Sequence, residues 1–200
     1  MATFSKTGPM FRMWHSGGDM LSADHDDGKN RSSQIYQTGQ RQQGPTIRPA
    51  IESDFESIME IENSCFPGEL AYSRQQMRYL LFQANSATLV EEAEGQVNGY
   101  VTALFRENSS VAGIETIGVS PGHRGRGTGR RLLSAAEEHM AERGKAVSRL
   151  EVSAGNHGAV AMYRKAGYEV TEALPGYYIH DHNGTRQAYR MEKPIRRQID

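Results

Sequence analysis

Apolar residues recur with a helical or strand period only from Thr46 onward. Thr46-Ile47-Arg48 reads as a short strand. Phe55, Ile58, Met59 and Glu62 follow at three- and four-residue spacing, which predicts a helix with Ser53 as its N-cap and Phe66-Pro67-Gly68 as its end. Ser73 and Gln76 match a capping box ahead of Met77, Leu80 and Leu81, so a second helix is expected there. Ala87–Glu92 and Gln96–Arg106 read as strands joined by a Glu94-Gly95 turn, and Ile114–Val119 as a third. Leu132, Leu133, Ala136, His139 and Met140 give the next helix its buried stripe, with Gly144 at its end. A strand over Arg149–Ser153, a helix opened by Asn156 and closed by Gly167, and strands over Tyr168–Ala173 and Gln187–Glu192 complete the pattern. Helices alternate with strands through the centre, so the class is α/β with a mixed sheet.

The first 45 residues differ in texture. They hold six Gly and five Gln and no Val, and no period survives more than a few positions. Such a segment buries too little apolar area to offset its ordering entropy. The expected organisation is a disordered extension over 1–45, a domain over 46–194 and a short tail over 195–200. The cluster Met10-Phe11-Arg12-Met13-Trp14 inside the extension reads either as a docking motif or as an inert stretch.

Composition narrows the function classes. The formal net charge is −1, so no strong field favours nucleic acid or an anionic membrane. One cysteine, Cys65, excludes an intramolecular disulfide scaffold. No apolar run approaches the ~18–20 residues that span a bilayer, and the first twenty residues lack the apolar core of a secretory signal. The expectation is a cytoplasmic protein with no nucleic-acid or membrane partner.

The most informative stretch follows Val119. Gly122, Gly125, Gly127 and Gly129 lie between a strand and a helix, interleaved with Arg124, Arg126 and Arg130. Glycines let backbone N–H groups approach a ligand closely, and the helix start adds unpaired donors and partial positive charge. That chemistry suits a phosphate or pyrophosphate. The loop has no lysine for a Walker A motif, and its glycine spacing fails the dinucleotide fingerprint. A plain tight turn is the bland alternative.

Arg124-Gly125-Arg126-Gly127-Thr128-Gly129 resembles the acetyl-CoA loop of the GNAT superfamily of N-acetyltransferases, whose pattern is Arg/Gln-x-x-Gly-x-Gly/Ala. Leu150-Glu151-Val152-Ser153-Ala154-Gly155-Asn156 and Ala161-Met162-Tyr163-Arg164-Lys165-Ala166-Gly167-Tyr168 are similar to segments of the bacterial RimI-type ribosomal-protein-alanine N-acetyltransferases. The resemblance covers about residues 46–194. It implies a GNAT fold, with a mixed central sheet of about six or seven strands flanked by about four helices. It also implies that Ile117, Gly118, Val119, Arg124, Gly125, Arg126, Gly127, Thr128, Gly129 and Arg130 contact acetyl-CoA and that Asn156 meets its pantetheine arm. Glu151 would be the general base and Tyr163 the general acid. A backbone N–H near Val119 would polarise the thioester carbonyl, with Gly118 letting the strand bulge. Two segments depart from the family: Glu69-Leu-Ala-Tyr-Ser73 replaces Pro-Trp-Ser, and Arg186-Gln187-Ala188 replaces Glu-Asp-Ala. Both flank the substrate entrance in that family.

The residues themselves leave more open. Glu151 alternates with Leu150 and Val152, so it faces away from both, as a base or as an ordinary strand carboxylate. Tyr163 shares a helix face with Asn156, as a proton donor or as a packed core tyrosine. An α-amine of pKa ~7.7–8.0 is roughly a quarter neutral near pH 7.4, and a lysine at ~10.4 about 0.1%. A single carboxylate therefore suits a protein or peptide α-amine better, though burial lowers amine pKa values too. His180-Asp181-His182 lacks further ligands at metal spacing and reads as a polar turn, so no metal is expected. Cys65 reads as a packed helix end rather than an acyl-accepting nucleophile, His123 as a phosphate contact or a solvated loop residue, and Tyr177 and Tyr178 as acceptor-slot walls or a sheet-edge pair. The first reading is an acetyl-CoA-dependent N-acetyltransferase acting on an α-amine by direct attack in a ternary complex. The alternatives are acetylation of lysine or a small amine, and a non-catalytic acyl-CoA-binding module.

Overall fold

The computed structural model describes residues 44–66 and 68–195. The extension expected over 1–45, with its Met10–Trp14 cluster, lies outside the described residues but for Gly44 and Pro45; Pro67 and 196–200 also lie outside them. Strand β1 (Thr46–Pro49) leads to α1 (Phe55–Cys65) and α2 (Arg74–Phe82). Strands β2 (Ser86–Ala93), β3 (Gln96–Phe105) and β4 (Val111–Val119) follow, then α3 (Thr128–Glu142), β5 (Val147–Ser153) and α4 (His157–Lys165). Strands β6 (Glu169–Leu174) and β7 (Ala188–Pro194) end the described chain. The seven strands form one sheet in the order β1-β2-β3-β4-β5-β7-β6. Only β4 and β5 run parallel.

Local chemistry explains most boundaries. Ser73 accepts from the Gln76 N–H while Gln76 Oε1 accepts from the Ser73 N–H, at 3.3 and 2.9 Å, which is the expected capping box of α2. Glu94 and Gly95 both have positive φ, 54° and 75°, the requirement of a two-residue turn whose twist matches its strands. Ser53 does not cap α1. A 3₁₀ turn over Glu52–Asp54 precedes that helix, and the Asp54 carboxylate accepts from the Ile51 N–H at 2.8 Å and pairs with Arg48. Strand β4 begins three residues before its expected start, because Val111, Ala112 and Gly113 pair with β5, and Ala112 and Gly113 with β3 as well.

Two buried clusters cover the two faces of the sheet. Leu132, Leu133, Ala136 and Met140 of α3 and Ala159, Val160 and Tyr163 of α4 pack on Val101, Ile114, Ile117, Leu150 and Val152. Phe55, Ile58, Met59 and Ile61 of α1 and Met77 and Leu80 of α2 pack on Val90 and Tyr100, on the opposite face. Alternation along the strands sorts the side chains between these layers. A register shift in β4 sets Thr116 opposite Thr102 and Ile114 opposite Ala103, leaving Glu115 as the extra residue. The bulge expected at Gly118 therefore sits at Glu115. Gly118 serves a different need: a Cβ there would lie 2.7 Å from the Tyr100 ring and 3.0 Å from Ile61 Cγ2.

Candidate active site

The parallel register between β4 and β5 ends at Gly113↔Arg149. Beyond it the two strands part, and the edge of β4 from Ile114 to Val119 faces an opening rather than a neighbour. The wide end of this opening leads into the glycine-rich loop. Gly125 and Gly127 hold φ of +75° and +86°, and Gly127 is the N-cap of α3. No side chain among the described residues caps that helix, so its first N–H groups are available to an anion.

A cavity of about 410 Å³ lies over this helix start. Val119, Arg124, Gly125, Gly127, Thr128, Gly129 and Arg130 all border it, so the structure gathers seven of the expected cofactor residues. Ile117, Gly118, Arg126 and Asn156 do not border it: Ile117 is buried in the core, and Asn156 caps α4 by accepting from the Ala159 N–H at 3.1 Å. With Oδ1 so engaged, the Asn156 amide group is what it has left for a ligand. Arg124 is turned inward, donating to the Val119 carbonyl at 3.1 Å and lying 3.4 Å from Cys65 Sγ. Thr128 Oγ1 and the Arg131 guanidinium both hold the buried Glu91 carboxylate, which ties the start of α3 to β2. Arg130 and Lys165 are the exposed cations at the rim. His123 Nδ1 is shielded from solvent without a hydrogen-bond partner among the described residues, and its ring borders the same cavity. Free helix N–H groups, two rim cations and an orphaned ring nitrogen together fit a phosphate-bearing group.

Glu151 lies on the other face of the sheet. Leu150 and Val152 enter the α3–α4 core, so Glu151 points to the α1–α2 side, where it is 7% exposed. Arg190, its cross-strand partner on β7, donates to Glu151 Oε1 at 2.9 Å and also pairs with Glu172. This partnership holds the guanidinium above its ordinary pKa, the Glu151 hydrogen bond being the largest cause. Tyr178, from the β6–β7 connection, is buried with no hydrogen-bond partner for its hydroxyl among the described residues. Burial and then the Glu151 charge push that phenol up. Tyr177 meets Tyr178 edge-on at 5.1 Å, and the His182 ring lies 4.9 Å from that of Tyr178. His182 is buried, His180 and Asp181 are exposed, and no cluster of three or more metal-ligating side chains occurs among the described residues. Tyr163 stays on the α4 side, fully buried and edge-on to Tyr168 at 5.8 Å. Glu151 and Tyr163 therefore flank β5 from opposite faces.

A model of the acetyltransferase (GNAT) family matches residues 55–168. The chain belongs to that family. It shares that family's acetyltransferase domain, and the family's co-substrate is acetyl-CoA. It is 28% identical over 144 residues to an uncharacterized N-acetyltransferase of Methanocaldococcus jannaschii, covering 66% of this chain and 64% of that one. It is 30% identical over 135 residues to the N-alpha-acetyltransferase RimI of Mycobacterium tuberculosis, covering 66% and 84%. The chain spans less than two thirds of several curated relatives: 64% of the archaeal protein and 35% of a mycothiol acetyltransferase of Saccharomonospora viridis. The fold matches the ribosomal-protein-S18-alanine N-acetyltransferase of Escherichia coli with a TM-score of 0.67 at 23% identity, over 76% of this chain and 94% of that one.

The structure adds residues that the sequence pattern did not single out for the site. Gly158, Ala161, Met162 and Lys165 of α4 complete the cavity over the loop. On the α1–α2 side of the sheet, Glu62 and Glu115 are buried carboxylates. Glu62 accepts from the Tyr100 hydroxyl at 2.5 Å and from the Tyr72 N–H at 2.8 Å, and the Tyr72 hydroxyl donates to Glu115. Burial and the Glu62 charge hold the Tyr100 phenol well above its ordinary pKa, so it remains a donor. The available signal was a glutamate in register with an otherwise apolar stripe or strand.

Proposed function

We propose that this acetyltransferase transfers acetyl from acetyl-CoA to the α-amine of a protein or peptide, by direct attack while both substrates are bound. The observation that carries the reading is the opening between β4 and β5, with an anion cradle at one end and the Glu151–Tyr178 pair on the opposite face. When bound, acetyl-CoA supplies an acetyl group activated as a thioester. The first N–H groups of α3, with Arg130 and Lys165, hold the pyrophosphate, and Arg126 adds charge nearby. The free edge of β4 from Ile117 to Val119 and the Asn156 amide align the arm, and a β4 N–H near Val119 polarises the carbonyl.

Glu151 takes the proton of the acceptor ammonium, directly or through a water. Its carboxylate is fixed by Arg190 and needs no rearrangement to face the acceptor. Tyr178 lies beside it with an uncommitted hydroxyl, suited to a polar group next to the amine. Tyr163 returns a proton to the departing thiolate from the α4 side. Cys65, the sole thiol, is 1% exposed and donates to the Val119 carbonyl at 3.4 Å, which supports direct attack over an acetyl-enzyme.

The test is a peptide library assayed for free CoA thiol. Peptides with free N-termini are expected to be turned over, and N-acetylated peptides carrying internal lysine are not. Turnover of lysine alone would overturn the acceptor assignment. Acetyl-CoA binding without thiol release for any amine would overturn catalysis itself.

A further inference from the structure

A second cavity, of about 360 Å³, lies on the acceptor face between α2 and the β3–β4 ribbon. Tyr79, Leu80, Leu104 and Val111 form an apolar wall, and Asn85, Arg106 and Ser109 line the cavity too. Gly113, Glu115 and Arg149 border it as well. Gly113 and Arg149 are the last registered pair of β4 and β5, so the cavity sits where the opening begins. Arg149 and Glu151 lie two residues apart on one face of β5, which places the candidate base about 6.6 Å along the strand from the cavity's rim. Nothing in the anion cradle or in the Glu151–Tyr178 pair uses this space.

We infer that this cavity receives a bulky apolar side chain on the first residue of the acceptor, so that the enzyme prefers amines adjacent to leucine- or phenylalanine-like groups. This inference rests on the α-amine reading above. Three observations carry it. One wall is apolar, formed by Tyr79 and Leu80 of α2 with Leu104 and Val111 of the ribbon. The volume is within the ~300–1,000 Å³ of ordinary ligand pockets. Glu115 borders the cavity and Glu151 lies about 6.6 Å along β5 from its rim, so an acceptor that is cationic at one end and apolar beside it matches the surface in both respects. Arg149 is committed to Glu192 at 2.6 Å and so does not oppose the ammonium.

Gly113 offers a direct handle. A Cβ there meets only the Arg149 carbonyl, at 3.9 Å, so Gly113→Leu fits the backbone and fills the cavity. The experiment uses the full chain and tripeptides X-Ala-Ser, with X glycine, leucine or phenylalanine. kcat/KM is measured by thiol release, and Kd by calorimetry in the presence of CoA. Leucine and phenylalanine are expected to exceed glycine by ~10-fold or more in kcat/KM, with Kd following the same order. Gly113→Leu should shrink that gap to under about threefold while melting within a few degrees of wild type. Equal kcat/KM for the three peptides, or a gap that survives in a folded Gly113→Leu, would overturn the inference. Absence of turnover with every peptide would overturn the α-amine reading instead. In that case calorimetry still decides the cavity: a Kd that does not tighten from glycine to leucine counts against it.

Discussion

At the scale of single residues, the proposed reaction divides its proton chemistry between the two sides of β5. Glu151 points to the α1–α2 side with Arg190 and Tyr178 beside it, and Tyr163 lies among α4 core residues. Tyr163→Phe keeps the ring, its packing against Tyr168 and the fold, and removes only the hydroxyl. Its kcat is expected to fall by ~10²-fold, the lower end of what a positioned acid contributes. Raising the pH from 6 to 9 should not restore it, since the lost proton is needed by the thiolate and not by the amine. Rates equal to wild type across that range would remove Tyr163 from the chemistry. Glu62 and Glu115 show what the chain hides at this scale. Glu62 falls in register with Phe55, Ile58 and Met59 and reads as part of an apolar stripe, yet it is a buried hydrogen-bond hub for Tyr100 and Tyr72. Arg124 reads as a phosphate ligand by charge and spacing, yet its guanidinium braces the Val119 carbonyl and the end of α1. Residue type was legible in both cases. The partner was not, because it comes from a distant element.

At the scale of elements, the loop–α3 junction and the β1–α1 junction carry the clearest tests. Gly127 combines a left-handed backbone with a neighbour, Arg131 Nη1, that a Cβ would approach to 2.9 Å. A non-glycine residue in that region costs roughly 1–2 kcal/mol. Gly127→Val is expected to lower the melting temperature and to raise the Kd for CoA by ~10-fold or more by calorimetry. An unchanged Kd would mean that the pyrophosphate binds elsewhere. At the other junction Arg48 bridges Asp54 and Glu92. Its hydrogen bond is the largest cause holding the Asp54 carboxyl below the ordinary range. A carboxyl depressed in the folded state stabilises fully above its unfolded value of ~3.9, and the contribution is lost as the pH falls through the folded value. In urea, the stability gap between wild type and Arg48→Met should therefore be larger at pH 7 than at pH 3. An equal gap would show that Arg48 acts by packing alone. The strands, helices and the Ser73–Gln76 box were readable because period and capping are local. The α1 cap was not, because Asp54 answers to Arg48 on β1 rather than to its own helix.

At the scale of the whole molecule, the order of elements and the RGRGTG loop already implied the family's architecture, and the seven-stranded sheet agrees. What the order could not give is the parting of β4 from β5, which depends on where a parallel register stops. In the proposed reaction that parting connects the cofactor side to the acceptor side and makes one active site of two faces. The described chain has both of its core clusters within residues 47–195. Deleting residues 1–43 is accordingly expected to leave the melting temperature and acetyl-CoA affinity within error of the full chain. A drop of many degrees would assign those residues a place on the domain. The central claim is that Glu151 deprotonates an acceptor amine at this opening. It is tested most directly by the rate of CoA release, with a saturating free-amine peptide, for wild type and Glu151→Gln between pH 6 and 9. The account predicts a kcat lowered by ~10²–10⁴ at pH 7, with a deficit that narrows toward pH 9 as the amine loses its proton to solvent. A Glu151→Gln enzyme that keeps wild-type kcat at every pH would contradict it.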